Sequence, residues 1–232
     1  MTSELRSTYW RGLRDGLPFL LVLIPFAMLF GVLATEAGLS VFETLSFSVV
    51  VIAGAAQFTA LQLLNEHAPT LIVLASALTV NLRMAMYSAS ITPHLGHLPL
   101  WKRAVAAYFL VDQTYALAAT EYEKRPGMTP PEKVAYFFGA VTPVCLPWYF
   151  FSMLGAWIGK SVPPEYGLDF ALPIAFLAMM GPALRTGAHM VAALVATVAA
   201  LALAVVPYNL GLLAAAICGM VAGAEVERRR DA

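Results

Sequence analysis

Long apolar runs alternate with short polar connections along almost the whole chain. Each run is close to the ~20 residues a helix needs to cross a bilayer. The pattern predicts eight spans, at residues 17–34, 45–64, 69–91, 104–120, 134–158, 170–184, 189–206 and 210–223. Pro18 and Pro25 interrupt the first, Pro143 and Pro147 the fifth, and Pro173 with Gly181-Pro182 the sixth. The last three runs are short and tightly joined, so a seven-span arrangement with one half-crossing segment also fits. The expected fold is an all-α integral membrane protein of about eight transmembrane helices (seven possible), some interrupted by Gly or Pro. Residues 1–16 interleave Tyr9 and Trp10 with arginines. They read either as an interfacial helix on the cytoplasmic face or as a solvated tail. Residues 17–224 form one transmembrane domain, and 225–232 a short charged cytoplasmic tail.

Composition supports the pattern. The chain is 60% hydrophobic and 12% charged, with mean hydropathy +0.74, against the ~25% charge of an ordinary soluble domain. Net charge is zero, which gives no sign of nucleic-acid binding. Arg6, Arg11 and Arg14 precede the first run in the manner of a signal peptide. The run is too long and lacks a small-x-small cleavage site, so it reads as a retained helix. Cys145 and Cys218 both lie in apolar runs and suggest neither a metal site nor a disulfide framework. Under the positive-inside rule, eight spans with a cytoplasmic N-terminus put ten basic residues inside: Arg6, Arg11, Arg14, Lys124, Arg125, Lys133, Arg185 and Arg228 to Arg230. Lys102, Arg103 and Lys160 fall outside, and the Lys102-Arg103 pair is the weak point of this N-in, C-in arrangement.

Charges at bilayer depth are costly and mark function unless they serve only to orient helices. Arg83 lies in the middle of the third run beside Asn81, and Asp112 in the middle of the fourth. A short connection makes these spans antiparallel neighbours, with Arg83 and Asp112 at similar depth and able to pair. Arg83 and Tyr87 share one helical face, Asn81 and Ser88 another, and Tyr108, Asp112 and Tyr115 form a stripe on the fourth span. Gly54 and Gln57 sit in a small-residue patch of the second run, where a local break would expose backbone groups to a zwitterion. The bland readings are a static ion pair and a packing patch. Glu36 and Glu43 bracket a short loop at the outer surface, as solvated charges or as a route for protons. Gly155 to Gly159 and Gly219 to Gly223 are small-xxx-small patterns that permit close helix contact. No phosphate loop, nucleophile–base set or HExxH motif is present, so neither an enzyme nor a cofactor nor a metal site is expected.

Four stretches then fall in a familiar order: GLSVFETLSFS at 38–48, AGAAQF at 53–58, NLRMAMYSAS at 81–90 and GLDFA at 167–171. With them the chain resembles the AzlC family, the large subunit of branched-chain amino acid exporters, over nearly its whole length. The resemblance implies a bacterial inner-membrane permease that exports leucine, isoleucine, valine and often methionine, driven by the proton gradient. It also implies a small AzlD-type membrane subunit as partner. Met84 departs from the pattern, since a histidine often follows Asn-Leu-Arg in the family.

Together these readings describe a secondary active transporter subunit. Gly54, Gln57, Asn81, Arg83, Tyr87 and Ser88 would contact substrate, and Asp112 would carry the proton. Glu36, Glu43 and Tyr115 are candidates for gating or ion access. The alternative from another class is a non-transporting scaffold or regulatory subunit of a transport complex.

Overall fold

The computed structural model describes residues 3–159, 184, 186–206 and 210–231, and these residues contain helices and no strand. The expected sixth span, with Pro173, Gly181-Pro182 and Arg185, lies outside the described residues, as does Lys160. Among the described residues, four helical stretches are long and apolar enough to cross a membrane: Ser3–Glu36, Thr70–Leu95, Pro130–Gly159 and Leu210–Arg230. The chain divides into two compact units, one of Met1–Phe58 with Val80–Pro163, the other of Thr59–Thr79 with Pro164–Ala232.

The frame of the first unit is a parallel pair. Helix α1 (Ser3–Gly16) continues through a 3-10 turn at Leu17–Phe19 into α2 (Leu20–Glu36), and both lie along α9 (Pro130–Gly159). Glycines on both sides set the approach. A Cβ on Gly12 would meet Tyr136 and Ala140, one on Gly16 would meet Pro143, and one on Gly31 would meet Ser152 and Ala156. From the other side, Gly139 faces Tyr9, Gly155 faces Met28 and Gly159 faces Val32. Helices in lipid gain nothing from excluding water, so close backbone contact through small residues is what joins them. Thr35 Oγ1 contacts the carbonyl of Ala156 across this seam at 3.0 Å, and Tyr9 and Thr142 hydroxyls bond at 2.6 Å. The small-xxx-small reading of Gly155 to Gly159 is thus realised, and α1 packs lengthwise on the first half of α9.

Three expected spans are each broken in two. The second run gives α3 (Val41–Val50) and α4 (Gly54–Asn65), the third α5 (Thr70–Val80) and α6 (Leu82–Leu95), and the fourth α7 (Leu100–Tyr108) and α8 (Asp112–Lys124). The causes are local. Val49, Val50, Val51 and Ile52 are β-branched and disfavour helix, and Val51 is extended at φ −124°, ψ 86°. Asn81 is a poor helix former standing alone between α5 and α6. At the third break Val111 is extended at φ −105°, ψ 170°. The Thr114 hydroxyl holds it there by accepting from the Val111 N–H at 2.9 Å and donating to the Phe109 carbonyl at 2.8 Å.

Along α9 as a ruler, two of these broken runs turn back on themselves as half-length hairpins, where the sequence reading expected crossings, some interrupted by Gly or Pro. Helix α8 ends where α9 begins, with the Tyr122 hydroxyl donating to the Lys133 carbonyl at 2.7 Å. Helix α6 ends there too, with His94 Nδ1 3.0 Å from Lys133 Nζ. The α7–α8 break, in contrast, lies at the middle of α9: Phe109 is beside Cys145, and the Tyr108 and Tyr149 hydroxyls are 2.8 Å apart. Helix α7 therefore enters and α8 leaves at the same end. The expected antiparallel packing of the third and fourth spans is also corrected. Helices α6 and α8 run parallel, since Arg83 meets Asp112, Tyr87 meets Tyr115 and His94 meets Tyr122 in that order. The sequence reading reserved a half-crossing for the last three runs; a half-length helix pair carries the same hydropathy as a crossing, so the second and fourth runs gave no sign of one.

The α3–α4 hairpin enters from the opposite end, where Gly159 packs on α2. Gln57 Nε2 donates to Ser48 Oγ at 3.2 Å across it, and Phe58 packs on Phe26 and Phe30. The tips of the two hairpins meet: the Tyr108 hydroxyl donates to the Val49 carbonyl at 2.5 Å.

In the second unit, α10 (Gly187–Ala202) and α11 (Leu210–Asp231) form an antiparallel pair. Gly219 and Gly223 lie against Ala192, Ala196 and Ala188, as the small-residue spacing predicts.

Candidate functional site

Asp112 is the first residue of α8 and Arg83 the second of α6, so the breaks bring both charges to helix N-termini. There the first N–H groups lack helical partners and the helix dipole is positive. A carboxylate at this position is favoured, and so is any anionic ligand group. Arg83 Nη2 and Asp112 Oδ2 pair at 2.9 Å, as their expected equal depth requires. Their side chains keep 33% and 32% exposure, so the pair is open to a ligand rather than sealed in packing. Tyr87 and Tyr115 stack beside it, ring centroids 4.2 Å apart and 11° from parallel. The Tyr115 hydroxyl donates to Ser90 Oγ at 3.0 Å.

Buried polar atoms without a protein partner concentrate around the breaks. Acceptors are Gln57 Oε1, Asn81 Oδ1 and Asp112 Oδ1; donors are Arg83 Nε and Trp148 Nε1. Buried polar groups are normally satisfied. Acceptors on one hand and donors on the other are what an ammonium and a carboxylate require.

The remaining expected site residues are dispersed. Asn81 caps α6 without a side-chain bond. Gly54 begins α4 under Trp148 and Phe26, and the fully buried Gln57 belongs to the α3–α4 hairpin. Ser88 faces a groove between α6 and α7. The stripe of Tyr108, Asp112 and Tyr115 is corrected, because the break puts Tyr108 on α7 and the other two on α8. Glu36 ends α2 and Glu43 lies in the first turn of α3, both on the segment that joins the frame to the hairpin. Glu43 forms a capping box with Ser40: it accepts the Ser40 N–H at 2.7 Å and its own N–H donates to Ser40 Oγ at 3.2 Å. Those bonds hold its carboxyl below the usual carboxylate range.

Sequence reasoning missed three parts. Thr114 shapes the break, though buried threonines are too common to signal it. Trp148 and Tyr149 reach the hairpin tips from α9. Glu121, buried, pairs with Arg11 at 3.0 Å and Arg125 at 3.1 Å, tying α8 to α1.

The tip contact yields a direct expectation. Tyr108→Phe removes bonds to Val49 and Tyr149, at about 1 kcal/mol each. Thermal unfolding of the purified protein should shift down by several degrees, while Tyr149→Phe, which keeps the Tyr108–Val49 bond, should shift it less. Equal shifts, or none, would remove the tip contact from the structure's account.

A family model described as AzlC protein matches residues 18–162, which include both hairpins and the Arg83–Asp112 pair. The inner membrane protein YgaZ of Escherichia coli (strain K12) is 28% identical over 221 residues, 92% of this chain and 88% of the relative. An uncharacterized membrane protein of Archaeoglobus fulgidus is 28% identical over 214 residues, 90% of this chain and 91% of that protein. One of Helicobacter pylori (strain 26695) is 26% identical over 176 residues, 74% and 75% of the two chains. No solved structure matches. The family match spans more than half of the chain, and the chain belongs to the AzlC protein family.

Proposed function

We propose that the chain is the large subunit of a secondary transporter that exports branched-chain amino acids and methionine across the bacterial cytoplasmic membrane, coupled to the proton gradient. The observation that carries this reading is the partly exposed Arg83–Asp112 pair at the starts of two half-helices. The substrate carboxylate would take Arg83 and the free N–H groups of α6. Its ammonium would take Asp112, and the unpaired amide oxygens of Asn81 and Gln57 would join it only as the hairpins close. Asp112, released from Arg83 when the substrate carboxylate takes that cation, would be the proton carrier that links substrate to proton. Aliphatic recognition rests on apolar contacts, which separate single methylenes by only about 1–3 kcal/mol, so several substrates are expected. A small AzlD-type subunit would complete the assembly.

Two re-entrant hairpins entering from opposite ends and meeting at their tips suit alternating access: withdrawing either one opens the site to one face only. This arrangement also moves Lys102 and Arg103 to the face that carries Arg11, Lys124 and Lys133, removing the weak point of the positive-inside assignment. In a background lacking Cys145 and Cys218, Lys102→Cys and Lys124→Cys should both react with an impermeant maleimide from the cytoplasmic side alone. Labelling from opposite sides would restore a full crossing between them.

The function is tested by efflux of preloaded labelled leucine and methionine from cells lacking their own exporters. The chain is expressed alone and with its candidate small subunit. Efflux that requires the subunit and collapses with a protonophore is the expected result. No efflux from both inserted chains would favour the scaffold alternative.

A further inference from the structure

We infer that the groove between α6 and α7 is a binding site for one acyl chain of an anionic phospholipid, with its phosphate at Arg103. The groove holds about 320 Å³. Its walls are mainly apolar: Ile91, Leu95, Leu100, Ala107 and Leu110. It runs from Leu110 at the hairpin tip to Leu100 and Gly96 at the end of the unit where α6 stops. Ten residues of helical rise make it about 15 Å long, half of a ~30 Å hydrocarbon core. It therefore matches one leaflet's depth, more than a free amino acid fills.

Its outer end carries the headgroup chemistry. Arg103 lines the groove there, exposed and with no ion pair among the described residues. Of the other cations at this end, Arg11 and Arg125 pair with Glu121 and Lys133 contacts His94, while Lys124 does not line the groove. Lys102 adds a second positive charge over the exposed ring of Trp101, 5.3 Å from its centroid. An aromatic ring with two uncommitted cations at the interface attracts an anionic headgroup. Occupancy would brace α7 against α6, and so steady the hairpin that carries Asp112.

The test is native mass spectrometry of the full-length protein in neutral detergent with phosphatidylglycerol or phosphatidylcholine added. Wild type should retain phosphatidylglycerol at least about tenfold better than phosphatidylcholine. Arg103→Gln with Lys102→Gln should abolish that preference, and Lys124→Gln, at the same face, should keep it. Ala107→Trp, which fills the groove, should lose both lipids; should it fail to fold, the exposed Arg103 and Lys102 variants still decide. Equal retention of the two lipids by wild type, or a preference unchanged in the double variant, would overturn the proposal. So would displacement of phosphatidylglycerol by millimolar leucine, which would make the groove a substrate vestibule. None of these readouts depends on transport, so a failed efflux assay and a failed lipid assay remain separate results.

Discussion

Replacing Arg83 with alanine should lower leucine efflux roughly 10- to 100-fold, about 1.4–2.7 kcal/mol of lost interaction. The truncation removes the one cation paired with Asp112 among the described residues, which is also the proposed partner of a substrate carboxylate. A fully buried pair broken on one side costs about 3–5 kcal/mol; one-third exposure argues for the lower figure. Asp112→Asn should behave differently. It keeps the shape and an acceptor but cannot carry a proton. Net efflux should fall to background and lose its sensitivity to a protonophore, while leucine–leucine exchange across a vesicle membrane continues.

The double variant Arg83→Leu, Asp112→Leu separates function from architecture. Exchanging both members of an ion pair for apolar residues is often neutral for stability. A scaffold would tolerate it and assemble normally. A transporter would remain folded, with unchanged thermal unfolding, and still fail to export. Full export by both single variants would discard the site.

The charges were legible because a bilayer makes them conspicuous. Arg83 and Asp112 stand alone in apolar runs, and equal depth follows from position in the run. Gln57 was legible as a polar group in an apolar run, and it bonds to Ser48 across the α3–α4 break. The hairpins were not legible. Hydropathy measures how much apolar surface a stretch presents, and α7 with α8 presents as much as one straight helix. The clue lay in Lys102 and Arg103, whose placement on the poorly charged side contradicted the crossing. The direction of α6 relative to α8 then followed from the hairpin and not from the short loop that suggested antiparallel packing. Thr114 and Trp148 act through geometry that only the folded chain supplies.

Gly155→Leu should be the most damaging single change outside the site. A Cβ there would lie 2.8 Å from the Cα of Met28, against backbone, so no side-chain rotation relieves it. Local retreat is blocked as well, because Gly31 meets Ser152, Gly155 and Ala156 at the same level and Gly159 meets Val32 one turn further on. Overpacking a tight core costs about 1–3 kcal/mol, and a clash with main chain belongs at the top of that range. Purified Gly155→Leu should lose the monodisperse peak in size exclusion or unfold at least several degrees lower, with Gly155→Ala in between. Gly127→Ala is the control, since its Cβ would meet nothing within 4 Å. The seam of α1 and α2 with α9 is the fixed body against which the hairpins would move: Tyr149 and Cys145 face the α7–α8 tip, and Trp148 faces Gly54. Export in Gly155→Ala should therefore fall with stability, while Arg83→Ala should lose far more export than its loss of stability accounts for. A Gly155→Leu protein that unfolds like wild type would mean that the two helices are not in backbone contact.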